Sequence, residues 1–258
     1  MTIQALTQHF TPGGYRYIPA VFQYSGGVAA EPGFALVRMR FERPLALADA
    51  FNAVEAHLAA VGRPVAAFAH CELRSPAPFS EEGFVRFNRA YVERLQAWGI
   101  FPGGNSQNNP VARTNVCPVY GPPSEPAMFA FAYTVPEGRS LRGGFMVAGS
   151  GEAREAAGQP YRDRIIALHD ASVEGMRAKV ECVIEAMRLR LFALGLDWTV
   201  PHTTQVYTVL NIGHLVGECL ARDRIVDSGA VWHYARPPVE GLDFEMDVNG
   251  AASEGWLR

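Results

Sequence analysis

Lysine is almost absent from this chain. Lys179 is the one lysine among 23 basic residues, and arginine supplies the rest. A codon-usage bias accounts for that overall preference, but it leaves a protein whose cations grip carboxylates with two parallel hydrogen bonds rather than as point charges. The net charge of −3 gives no sign of a polyanion-binding surface. No apolar stretch approaches the roughly 20 residues needed to span a bilayer. Met1 to Phe10 lacks a basic run leading into an apolar one, so no secretory leader is expected and a cytoplasmic location is. Cys71, Cys117, Cys182 and Cys219 are widely scattered, with neither a disulfide framework nor zinc spacing, and reduced thiols are expected. The seven histidines show no metal-ligand spacing, and there is no glycine-rich phosphate loop and no G-x-S-x-G elbow. Any chemistry is therefore expected to be acid/base hydrolysis without metal or cofactor.

Self-similarity is what the chain has instead. Phe22-Gln-Tyr-Ser-Gly-Gly-Val28 and Gly144-Phe-Met-Val-Ala-Gly-Ser-Gly151 are both strand-like and punctuated by glycine. Each precedes a helical pattern that ends in a glycine. The first is Ala48 to Gly62, with Phe51, Val54, Leu58 and Val61 at helical spacing; the second is Ser172 to Gly195, with Met176, Val180, Val183, Ile184, Met187, Leu191 and Leu194. Strands are predicted next (Val65 to Leu73, Thr203 to Leu210), then a second helix in each half. That helix is long after Ser80-Glu-Glu-Gly83 and short over Gly213 to Ala221. Two closing strands around a proline pair follow: Thr114–Tyr120 and Ala127–Val135, then Ala230–Tyr234 and Leu242–Val248. The order does not alternate as a doubly wound sheet would. It predicts an α+β fold of two tandem modules, 1–138 and 139–258, each a mixed β-sheet with two helices packed on one face. Pro136 to Gly143 reads as the linker, and Gly99 to Pro110, without any apolar period, as a long loop.

Leu47 to Gly62, then Phe84-Val-Arg-Phe-Asn-Arg-Ala-Tyr91, then Pro110-Val-Ala-Arg-Thr114, resembles in order the RidA family, also called YjgF/YER057c/UK114. Gly241-Leu-Asp-Phe-Glu-Met-Asp247 is similar to that family's closing strand. The resemblance covers Tyr15 to Val135 and again Gly143 to Asn249. It implies RidA-like (chorismate-mutase-like) modules and a homo-oligomer, with a trimer of chains as the expectation. It also implies hydrolysis of enamines or imines carrying a carboxylate, as in relatives such as 2-aminomuconate deaminases. Tandem chorismatases are the alternative within enzymes, although this chain is short for that group and shows no second arginine placed for a dicarboxylate. A non-catalytic carboxylate-binding protein is the alternative outside them.

The resemblance places Arg113 as the carboxylate clamp and Glu245 as the group that handles water and protons. Neither half carries both, since the position matching Arg113 in the second half falls near Gly229, and Ala127 to Ala132 has no acid. Either the halves share one composite site, or each has lost an ancestral one. Alternation puts Asp243, Glu245 and Asp247 on one strand face, which an ordinary half-exposed strand would also do. Asn88 matches the family's helix asparagine, Tyr17 (or Tyr15) its N-terminal aromatic, and Ser25 the serine of its Ser-Gly turn. Ser150 is read as serving only its turn. Asn115 stands where the family has its cysteine, as a polar group beside the carboxylate. Cys117 shares a face with Arg113 and Asn115, either as a ligand contact or as a core thiol.

Overall fold

A computed structural model describes residues 7–154 and 160–257. Most of the segment on which the absence of a leader was judged, residues 1–6, lies outside them. The first half runs β1 (Gln8–Phe10), β2 (Tyr15–Tyr17), β3 (Gly27–Ala30), β4 (Phe34–Ala46), α1 (Leu47–Ala60), β5 (Phe68–Arg74), α2 (Glu81–Ala97), β6 (Ala112–Pro118) and β7 (Ala127–Pro136). The second runs β8 (Phe145–Gly151), α3 (Val173–Ala193), β9 (Thr203–Tyr207), α4 (Gly213–Leu215, continued by a π-helical turn at Val216–Ala221), β10 (Ala230–His233), β11 (Ala235–Arg236), β12 (Glu245–Gly250) and β13 (Ser253–Leu257).

These strands make two mixed sheets, ordered β11-β6-β5-β7-β4-β13 and β1-β2-β3-β8-β12-β9-β10. Four strands of each repeat one pattern. β6-β5-β7-β4 corresponds to β10-β9-β12-β8, with a parallel pair first and antiparallel pairs after it. The two long helices that follow β4 and β8 end alike. Gly62 and Gly195 both take positive φ, and the next amides, of Arg63 and Leu196, bond back to the carbonyls of Leu58 and Leu191 at 2.8 and 2.9 Å. This is the glycine cap that the sequence predicted.

The halves also exchange strands. β3, within the segment expected to open the first module, pairs with β8 of the second, and β13 at the far end of the chain pairs in parallel with β4. The first sheet's counterpart to β8 is therefore β4, which is not among the strands expected from the sequence.

Alternation along the strands sorts the side chains into layers. Phe51, Val54 and Leu58 of α1, with Tyr91, Val92 and Leu95 of α2, pack on Phe68, Cys71, Leu73, Met128 and Phe131 of the first sheet. Met176, Val180, Val183, Met187 and Leu191 of α3 cover Phe145, Val147, Val206, Met246 and Val248 of the second. The opposite faces meet each other. At one end that interface is small and apolar, with Ala30, Ala69, Ala112, Ala132 and Ala148 beside Tyr15 and Met146. At the other it is polar and still buried. Arg38 donates to Glu72 at 2.6 Å, Arg74 lies 3.7 Å from the same carboxylate, and Asp247 accepts from Gln205 and Tyr207 at 2.8 and 2.9 Å. Burial alone would raise the Glu72 pKa, but Arg38 and Arg74 outweigh it and hold the carboxyl down at about 2. Truncation with Glu72→Ala leaves buried Arg74 without its carboxylate and Arg38 with only the half-exposed Glu254, at 3.1 Å, and is expected to cost about 3–5 kcal/mol in urea denaturation. Arg188→Ala, which removes only an exposed pair with Glu185, is expected to leave the midpoint unmoved.

Candidate active site between the two halves

Between Ala112 and Cys117 no described strand lies on the side of β6 away from β5, since β11 pairs only with Cys117 and Pro118, and Ser25 bridges only to Ala112. A small cavity of about 40 Å³ occupies that opening, lined by Arg113 and Asn115 of β6, Gly149 and Gly151 of β8, Glu245 of β12, and Tyr24, Phe84 and Tyr161. Pro238, Val239 and Leu242 complete the wall. Phe79 clips that segment in place, donating its amide to Pro238 and accepting from Glu240, at 2.8 and 3.0 Å.

Arg113 is 2% exposed and sits among aromatic rings, its guanidinium carbon 4.7 Å from the Tyr91 centroid and 5.1 Å from that of Tyr24. Such rings favour a cation while supplying no counter-charge. Its Nη2 donates to Asn88 Oδ1 at 2.6 Å, whereas Nη1 is buried without an acceptor. The Asn88 and Asn115 side-chain amides are also buried with their NH₂ groups unanswered, although both oxygens are used: Asn88 by Arg113 and Asn115 by the Ser75 hydroxyl at 3.0 Å. Buried donors ordinarily find partners. Two of the three, Arg113 Nη1 and the Asn115 amide, belong to residues that line the cavity, and a cationic donor beside a neutral one makes a receptor for an anionic oxygen pair.

Glu245 reaches the same cavity from the other half. It begins β12, opposite Gly151 of β8 and Tyr207 of β9. The β8–β12 register slips between Val147 and Ser150, a bulge at Ala148–Gly149 that reverses which residues of β8 face the other sheet. Arg190 of α3 supports the bulge, donating to the carbonyls of Ala148 and Gly149 at 2.9 and 3.3 Å. Glycine is required at 149 because a Cβ there would collide with the Glu245 carboxyl. The acid is only 4% exposed, which excludes the half-exposed strand as the explanation of its position. Burial, then the neighbouring charges of Asp247 and Glu152, push its pKa well above the usual carboxylate range, and Arg190 and Arg113 pull the other way only in part. A carboxyl so placed holds its proton more firmly than an exposed one, which suits it to act as an acid.

Arg113, Asn115 and Glu245 thus share one cavity, and Asn88 stands behind Arg113. Ser25 does not line it; its hydroxyl donates to the Pro110 carbonyl at 3.2 Å and ties the preceding loop to β6. Tyr17 does not reach it either. Its hydroxyl donates to Gln8 at 2.6 Å, and its ring packs between the sheets with Tyr15, whose hydroxyl donates to the Phe68 carbonyl. Cys117 lies further along β6, outside the lining, 2% exposed, and burial pushes its thiol up to about 12.

The sequence reading did not name Tyr24, Phe84 or Tyr161 as site residues: Phe84 only opened the phrase that ends at Tyr91, Tyr24 only lay in the glycine-punctuated strand, and Tyr161 falls in no motif. It also passed over Glu152, which accepts the amides of Asp243 and Phe244 at 2.6 and 3.1 Å and so fixes the approach to Glu245. Burial raises the Glu152 carboxyl to about 7, against the pull of those amides and of Lys179. Lys179, wholly buried, pairs with Asp243 and lies 3.9 Å from Glu152. Nor is Arg113 isolated. A wider chamber of about 210 Å³ adjoins the small cavity through Tyr24, Phe84, Gly151, Tyr161 and Val239, and its wall includes Arg154, Arg164, Arg190 and Ser150. Gly149→Ala is expected to cost about 1–3 kcal/mol in urea denaturation and to displace Glu245 from the cavity; wild-type stability in that variant would contradict the close contact.

The sequence was compared with known proteins. The family model described as 2-aminomuconate deaminase CnbZ matches residues 7–255. A 2-amino-5-chloromuconate deaminase of Comamonas testosteroni is 58% identical over 246 residues, which cover 95% of this chain and 96% of the relative. Among solved structures, a chorismatase aligns over 88% of this chain and 77% of its own, with a TM-score of 0.48 and 14% identity. With a family model spanning nearly its whole length and a relative of that identity, the chain belongs to the 2-aminomuconate deaminase CnbZ family.

Proposed function

We propose that the protein is a hydrolytic deaminase of a 2-aminomuconate-type substrate, an unsaturated 2-amino acid carrying carboxylates, and that it works without a cofactor. The observation that carries this reading is the cavity holding Arg113 and Glu245 together, each supplied by a different half. The names of the relatives point to the same substrate class. The shared strand order of the two sheets supports descent from paired RidA-like modules whose polar groups became divided between them.

In this mechanism the carboxylate beside the amino-bearing carbon docks on Arg113 Nη1 and the side-chain amide of Asn115, while Asn88 holds the guanidinium from behind. Protonated Glu245 gives its proton to the enamine carbon, and the C–N unit becomes an iminium ion. The resulting carboxylate then takes a proton from a water molecule as the water oxygen adds to the iminium carbon. Glu245 then gives a proton to nitrogen and takes the one on the new hydroxyl as the C–N bond breaks, which releases ammonia, leaves a keto acid and restores the protonated carboxyl. The walls of Tyr24, Phe84, Tyr161 and Val239 limit bulk water around the reacting atoms.

Ammonia release from 2-aminomuconate tests the assignment. Glu245→Gln is expected to lower kcat by about 10²–10⁴. Arg113→Gln is expected to lower kcat/KM by at least about tenfold, through the loss of a charge-assisted hydrogen bond. Wild-type turnover in either variant would refute that residue's role.

The pH profile gives a second test. An acid that must be protonated loses activity as pH rises through its pKa, and the Asp247 charge helps to raise that of Glu245. Asp247→Asn removes the like charge, so the alkaline limb of kcat is expected to move to lower pH; a limb that stays in place would separate it from Glu245.

A further inference from the structure

A carboxylate on Arg113 leaves the remainder of an extended substrate to run outward, and the route out of the small cavity is the wider chamber that shares its Tyr24–Phe84–Tyr161 wall. We infer that this chamber is a second carboxylate subsite, with Arg164 as the residue that selects dicarboxylates over monocarboxylates. The inference rests on the preceding reading for the first carboxylate, and on separate observations for the second.

Arg164 is half-buried in the chamber wall with its guanidinium 4.8 Å from the centroid of Tyr161, the ring that borders both spaces. Its Nη1 reaches only the Arg154 carbonyl, at 3.3 Å, and its Nε is buried without an acceptor. No carboxylate of the described residues forms an ion pair with it. The other groups of the chamber divide by their commitments. Arg190 is engaged by the bulge carbonyls, Arg154 is exposed, and the one acid that the described residues place in the wall, Glu81, is exposed in the first turn of α2.

Arg164 is also held in fixed relation to the inner cavity. The Arg154 amide donates to the Arg164 carbonyl at 3.0 Å, and the Ile166 amide to the Glu152 carbonyl at 2.8 Å. These bonds clamp its segment to the end of β8, the strand that carries Gly149 and Gly151. A guanidinium set by that backbone clamp, stacked on one ring and short of an acceptor, suits a carboxylate arriving from the inner cavity.

Titration calorimetry with two unreactive probes tests the subsite. Muconate has both carboxylates, and sorbate has the same carbon chain with a methyl group in place of one. Wild type is expected to bind muconate at least about tenfold more tightly than sorbate. Arg164→Gln should abolish that preference while leaving sorbate affinity and the melting temperature unchanged, and Arg164→Lys should retain part of it. Equal affinities in wild type, or a preference that survives Arg164→Gln, would overturn the inference. Arg113→Gln should weaken both probes. If it weakens neither, the carboxylate site of the preceding section fails, while the muconate-to-sorbate ratio still reports on Arg164.

Discussion

Two sheets that bury charged side chains between them must answer each charge within the layer, because water no longer does so. Most of this interface follows that constraint. Glu72 answers Arg38 and Arg74, and Asp247 takes hydrogen bonds from Gln205 and Tyr207; outside this layer, on α3, buried Lys179 is likewise met by Asp243 and Glu152. Where the layer reaches the open side of β6 the compensation stops. Arg113 has an idle guanidinium nitrogen, two asparagine amides have idle donors, and Glu245 sits among like charges. Buried polar atoms also go without partners at His70 and Arg74, but Arg74 still faces the Glu72 carboxylate, whereas the cation at Arg113 has no acid of the described residues paired with it, and it stands where a small anion fits.

The division of labour between the halves follows from the same packing. A cation and a raised-pKa acid placed side by side on one strand would simply form an ion pair, and the acid would lose its proton. Here β6 supplies the cation and β12 the acid, and the bulge at Ala148–Gly149 brings the acid over a glycine rather than onto a guanidinium. Arg113 is instead steadied by aromatic faces and Asn88, neither of which neutralises it. A carboxylate ligand would supply the missing counter-charge on one side and leave Glu245 free to handle protons on the other.

Much of the fold was legible because its signals are local. The helical stripes of α1 and α3, their glycine caps, the long loop before β6 and the alternation at Phe244–Val248 all depend on neighbours in sequence. β4 was not legible, because Arg38, Arg40, Glu42 and Arg43 interrupt its apolar pattern. Arg38 is buried there only because Glu72 and Glu254 arrive from elsewhere in the chain. β13 depends likewise on a parallel partner more than 200 residues away. At the site, Arg113, Asn88, Asn115 and Glu245 could be found because they fall in short motifs. Tyr161, Glu152 and Arg164 could not, since their roles come from a backbone clamp and a shared cavity wall. Tyr17 and Ser25 mark the opposite case, in which a matching position serves packing or a loop tie, and Cys117, named only for sharing a strand face with Arg113, lies outside the lining.

The central claim is that one ligand is held by both halves at once. A crystal structure of the Glu245→Gln variant with 2-aminomuconate bound tests it directly. The account predicts a substrate carboxylate within hydrogen-bond distance of Arg113 Nη1 and the side chain at 245 facing the adjacent amino-bearing carbon. A substrate bound away from Arg113, or one touched by residues of a single half, would contradict it.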